Sequence, residues 1–182
     1  MAPSLPRLDV HVAVLPRAGL PLRLVASEAE CLQVAQACGV RRVASLEADL
    51  DIRRWRGDGV EIAGEVRASL EQECVVTLAP VSQRVVAPVE ATFLPRGSPL
   101  DRSRSQSEEL VLDPEGPDIP ETFVGEAIDV WPLVVEFLLL AIDPWPRAPG
   151  AVLDPKLAGG EDGDAAPQSP FSVLAALRKD PT

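Results

Sequence analysis

"ASLEADLDIRRWRGDGVEIAGEVRASL", residues 44–70, decides the fold. Ala44, Leu46, Ala48, Leu50 and Ile52 fall on one parity, with Ser45, Glu47, Asp49 and Asp51 on the other. Side chains of an extended strand alternate between faces, so this pattern predicts a strand with one dry and one wet side. Beyond the turn "RGDG" the alternation resumes. Val60, Ile62, Val66, Ala68 and Leu70 point inward; Glu61, Glu65, Arg67 and Glu71 point outward. Two such runs around a Gly-Asp-Gly turn read as an antiparallel hairpin.

Upstream, Leu8, Val10, Val12 and Val14 alternate well enough to predict a strand over 8–15, followed by a turn at "PRAG" and a short extended piece at "LPLRLVA". Ser27 with Glu30 forms a capping box ahead of "EAECLQVAQAC", a helix that Gly39 would end in the left-handed region. Downstream, a further strand is expected from about Gln83 to Phe93. Pro88 within it points to an edge or a bulge, because proline cannot donate to a ladder.

Residues 96–119 read as a polar, acidic loop holding one short strand at "ELVL". Asp129 and Pro132 then suit a helix start, and Leu133–Ile142 continue it until "DPWPRAPG" stops it. That helix is apolar nearly all round and is expected to be buried, so that an aspartate at Leu139 would unfold the domain. Residues 151–168 read as a disordered linker, and 169–182 as an amphipathic tail carrying Phe171, Leu174 and Leu177. The expected architecture is α+β. One domain over 1–150 has an antiparallel, curved or partly barrel-like sheet, an N-terminal helix and a buried C-terminal helix.

Charge narrows the partners. The 182 residues carry 17 Lys+Arg and 28 Asp+Glu, net −11, and aromatics make up 4% with no tyrosine. Up to Pro95 there are 10 basic and 12 acidic residues, and beyond it 7 and 16, so the second half holds −9 of the total. Such a field repels phosphate and favours a basic protein partner. The apolar run at 133–142 is half the length of a membrane span. The N-terminus lacks the apolar core of a signal peptide, and three cysteines argue against a disulfide framework. The expected compartment is the cytoplasm, without membrane attachment.

No catalytic or metal constellation assembles. Cys74 is followed by Thr77 where a Cys-x-x-Cys pair would need sulfur; Cys31, Cys38 and the single His11 do not complete a convincing tetrahedral set. Neither a Gly-x-Gly-x-x-Gly nor a Walker-type loop is present. Glu136, inside its apolar helix, is the one carboxylate whose burial would suit an acid or base; the alternative is an exposed helix carboxylate or one paired with Arg147. No metal and no cofactor are expected.

Three blocks in order carry a family resemblance: "EIAGEVRASLEQECVVTLAPVSQRVVAPVEATFLP", "AIDVWPLVVEFLLLAIDPWPRAPGA" and "SPFSVLAALRKD". With the N-terminal helix they make nearly the whole chain resemble the YceD family of large ribosomal RNA subunit accumulation proteins, in particular its alphaproteobacterial branch. The resemblance implies a non-enzymatic role in making or stabilising large-subunit ribosomal RNA. Thr77, Phe137 and Trp145 depart from residues common in relatives, which carry a second cysteine, a glutamine and a tyrosine there.

The leading expectation is a ribosome-biogenesis factor that binds a basic ribosomal or assembly protein and so associates indirectly with large-subunit ribosomal RNA. Its candidate surface is Trp145 and Arg147, types favoured at interface centres, with Glu108, Glu109, Asp113 and Glu115. The alternative is direct RNA contact through Arg41, Arg42, Arg53, Arg54 and Arg56, taken as one cluster at a hairpin end. An enzyme using Glu136 is the third reading.

Overall fold

A computed structural model describes residues 5–100 and 120–153. The expected strand at "ELVL", the acidic residues Glu108, Glu109, Asp113 and Glu115, and the linker and tail beyond residue 153 lie outside the described residues. The described residues up to Ala148 form one compact unit.

The hairpin is its centre. Strand β3 (Arg42–Trp55) pairs with β4 (Gly59–Glu73) in antiparallel register, with Ile52 opposite Ile62 and Ala48 opposite Val66. On the dry face Leu46, Ala48, Ile52, Val60, Ile62 and Val66 are almost wholly buried. Strand β5 (Pro80–Pro95) continues the ladder on the far side of β4, and β2 (Leu20–Val25) pairs with β3. A short β6 (Glu121–Phe123) lies parallel to the end of β5, so the order is β2-β3-β4-β5-β6. The sheet is mixed and open, not closed into a barrel. Over most of its length β5 has no neighbour opposite β4 among the described residues, which suits Pro88 at an edge.

The beginning of the chain departs from expectation. Strand β1 is only Asp9–His11, paired with β7 (Ala127–Asp129) in a separate two-stranded sheet. Val12–Val14 turn instead into a short 3-10 helix. The Val12 N–H still reaches the Glu126 carbonyl, but β7 offers nothing further to pair with, and Val14 is left 78% exposed.

Helix α1 (Glu28–Cys38) starts and ends as its sequence predicts. Ser27 Oγ accepts from the Glu30 N–H, the Glu30 carboxylate accepts from the Ser27 N–H at 2.7 Å, and Gly39 takes φ 66°. It packs on β3. Helix α2 (Val130–Ala141) is capped by Asp129, whose carboxylate accepts from the Trp131 N–H at 3.2 Å and the Leu8 N–H at 3.0 Å. It packs on β5 and β4 through Val130, Trp131, Val134, Val135 and Leu138. The helix is not buried all round: Leu139 is 49% and Leu140 76% exposed, and Glu136 is exposed. A single helix lying on one face of a sheet has one stripe to bury, so the opposite leucines stay outside. Among the described residues no helix is long and apolar enough to cross a membrane.

Candidate functional site: the Cys74 turn and the segment it holds

Strands β4 and β5 are joined by "CVVTLA", residues 74–79, and this turn is folded around a sulfur. The Cys74 N–H donates to the Ala79 carbonyl at 2.8 Å, and the Leu78 N–H to the Cys74 carbonyl at 2.9 Å. Closing the loop puts Leu78 in the left-handed region at φ 59°. Inside it the Cys74 thiol, fully buried, accepts from the N–H groups of Val76 and Thr77 at 3.4 Å each.

The third donor comes from 74 residues further along the chain. After α2 the prolines keep "DPWPRA", residues 143–148, out of helix, because each disfavours helix for the residue before it. That segment lies along the turn. The Gln72 amide donates to the Asp143 carbonyl at 3.0 Å, the Val75 N–H to the Pro146 carbonyl at 2.9 Å, and the Ala148 N–H to Cys74 Sγ at 3.2 Å. Pro146 is buried. The Ala148 N–H, followed by the Thr77 hydroxyl, pulls the Cys74 thiol down to about 6, against the upward push of burial. Burial instead raises Cys31 and Cys38, and all three cysteines are free.

Trp145 is therefore presented by a braced backbone. Its own N–H donates to the Asp143 carboxylate at 2.9 Å, while its side chain is 72% exposed. Arg147 is exposed two residues on, and Val75 and Leu78 of the turn are also exposed. Beside them Gly39, Arg41, Gln72, Val75, Pro144 and Pro146 line a shallow cleft of about 410 Å³. Two of the three blocks that carry the resemblance, the one with the cysteine turn and the one with the proline stop, thus meet in space.

The five arginines expected together are not together. Arg41 and Arg42 stand at the start of β3 and Arg53 and Arg54 at its end, separated by about 40 Å of extended chain. Most are also occupied. Arg41 pairs with Glu71 at 3.0 Å, Arg53 with Asp51, and Arg54 donates to the carbonyls of Val12, Ala13 and Leu15. Arg56 lies over the Trp55 ring at 4.7 Å. Arg54 thus closes the turn that ends β1, a structural task that sequence reasoning missed.

Glu136 stands on the exposed face of α2, so the burial that would mark it as an acid or base is absent. Among the described residues no group of three or more His, Cys, Asp or Glu is arranged to hold a metal ion.

A family model described as "Large ribosomal RNA subunit accumulation protein YceD" matches residues 62–178, well over half of the chain. The match begins inside β4, so α1 and β3 stand outside it, while the Cys74 turn and the segment around Trp145 stand within it. No curated protein and no solved structure matches the chain.

Proposed function

The chain belongs to the YceD family, and from that premise we propose that it supports large-subunit ribosomal RNA accumulation without catalysis, by docking a basic ribosomal or ribosome-assembly protein. The observation that carries this reading is the exposed Trp145 on a segment held on both sides of it, by Gln72 of β4 before it and by the Cys74 turn after it. An aromatic side chain on a backbone that is already braced leaves less freedom to be lost when a partner covers it, which helps a single residue to dominate an interface. Val75, Leu78 and Arg147 extend the same surface. The negative second half supplies long-range attraction for a basic partner and raises the encounter rate.

Affinity purification of the tagged chain from its cells, with and without nuclease, tests the reading. A basic protein should co-purify in both arms, and Trp145→Ala should lose it while melting unchanged. Recovery that vanishes with nuclease, or that Trp145→Ala leaves intact, overturns it.

A further inference from the structure

The wet face of the sheet holds a feature that the Trp145 surface does not use. Most charges on this face neutralise one another. Arg23 of β2 bridges Glu47 at 3.1 Å and Asp49 at 3.8 Å, and Arg67 of β4 bridges Asp49 and Glu65. Arg42 and Arg84 are different. Both are exposed, and neither side chain has a carboxylate or any other hydrogen-bond partner among the described residues.

They line one depression. Between Val43 and Ser45 the register of β3 against β4 slips, so Val43 turns into the core and Ala44 onto the wet face. A bulge bends its strand and commonly re-aims side chains at a site. Here it leaves Arg42, Ala44, Ser69, Ser82 and Arg84 around a shallow space of about 590 Å³. The floor is small and polar, and Ser69 sits opposite both Ser45 and Arg84 in the ladder. Glu71 also lines the space, but its carboxylate is held by Arg41. A second hollow of about 240 Å³ shares Ser69 and Arg84 and runs on past Glu47 and Arg67 to Val86, which is 60% exposed. From Ser82 to Val86 this trough follows about 13 Å of β5.

We infer that the trough between Arg42 and Arg84 binds the phosphodiester backbone of single-stranded RNA. Two guanidinium forks that have no partner among the described residues, with hydroxyl donors between them, match phosphate oxygens, which accept and do not donate. The length exceeds that of one phosphate, and the bare Val86 gives the far end an apolar seat for a sugar or base. The choice of RNA rests on the ribosomal role above; the anion chemistry does not. The local charge works against a net −11, so affinity should be modest and strongly salt-dependent.

Fluorescence anisotropy of a labelled 12-nucleotide single-stranded RNA with the full chain, across a salt series, tests this. The double variant Arg42→Gln/Arg84→Gln should bind at least tenfold more weakly. Its slope of log affinity against log salt should be shallower by about 1.4, as two lost contacts on a single strand require. Ala44→Glu, which sets a carboxylate between the forks, should do the same, and Arg42→Lys/Arg84→Lys should recover part of the loss. Arg53→Gln, at the other end of β3, should change nothing.

Melts of every variant should coincide with the parent, since these side chains are exposed. RNA binding that the double variant and Ala44→Glu both retain, or binding of inorganic phosphate without RNA, overturns the proposal. Because Trp145 is untouched, capture of a protein partner by these same variants separates this site's failure from that of the docking surface.

Discussion

The Ala148 N–H donates to Cys74 Sγ at 3.2 Å, across 74 residues of chain. That one contact joins the β4–β5 turn to the segment after α2, and it shifts a titratable group. The thiol falls from 9.0 to about 6 in the folded chain, so between these values the unfolded chain holds one more proton than the folded one. Stability from this source is complete above pH 9, declines as pH falls, and is gone below pH 6. The melting temperature of the parent, less that of Cys74→Ser, should therefore rise from pH 6 to pH 9. Serine keeps an acceptor but does not titrate there. A flat difference across that range refutes the thiolate assignment.

Packing of α2 separates residues that its sequence does not. Leu138 is fully buried, whereas Leu140 is 76% exposed. Leu138→Ala should destabilise the domain by about 2–5 kcal/mol through lost burial and a cavity, and Leu140→Ala by no more than about 0.5 kcal/mol. Urea melts decide. Equal midpoints for the two variants would place α2 differently on the sheet.

Where the sequence was legible, a local rule and the tertiary contacts agreed. The Ser27–Glu30 box, the Gly39 stop and the dry face of the β3–β4 hairpin each follow from neighbours within a few residues. Legibility failed where the answer depended on a distant element. Ala44 has the parity of the core, but a bulge sends Val43 inward in its place. Leu139 looks like core until the helix is known to lie on one face only. The arginines at 41–56 look clustered until β3 proves to be one continuous strand between them. For the site, Trp145 and Arg147 are legible as residue types suited to an interface, but nothing local announces that "DPWPRAPG" closes on Cys74. The spacing of Cys74 and Thr77 speaks only to metal binding, whereas the bonding of the sulfur to three backbone N–H groups depends on Ala148, 74 residues away.

Gly64 is a second position whose requirement only the pairing shows. Midway along β4, a Cβ built there would overlap the carbonyl oxygen of Asp49 and crowd the Cα of Leu50 on β3. Both are backbone atoms and cannot swing aside, so the close approach admits only glycine. Gly64→Ala should cost about 2 kcal/mol or more, against near neutrality for an alanine placed at the open Gly57 turn beyond the strain of its φ of 90°. Chemical melts of the two variants measured side by side give the answer. If Gly64→Ala is the milder change, β3 and β4 are not so close.

The acidic segments give the last prediction, and it bears on the docking reading itself. Glu108, Glu109, Asp113, Glu115 and Asp118 fall in one run between β5 and β6, with Glu161, Asp162 and Asp164 in another near the end of the chain. Attraction between exposed charges fades beyond about 8 Å at physiological salt. Association with precursor large subunits should therefore weaken as salt rises. It should weaken further when the first run is neutralised to Gln and Asn, and the second run, changed separately, reports whether the far segment shares the task. A loss confined to the association rate, with dissociation unchanged, is the signature of steering. The Trp145→Ala variant should do the opposite, hastening dissociation. Co-sedimentation across a salt series, with rates from surface binding, separates the two effects. Undiminished association in both neutralised variants removes the acidic runs from the interface and leaves the Trp145 segment to hold the partner without electrostatic help.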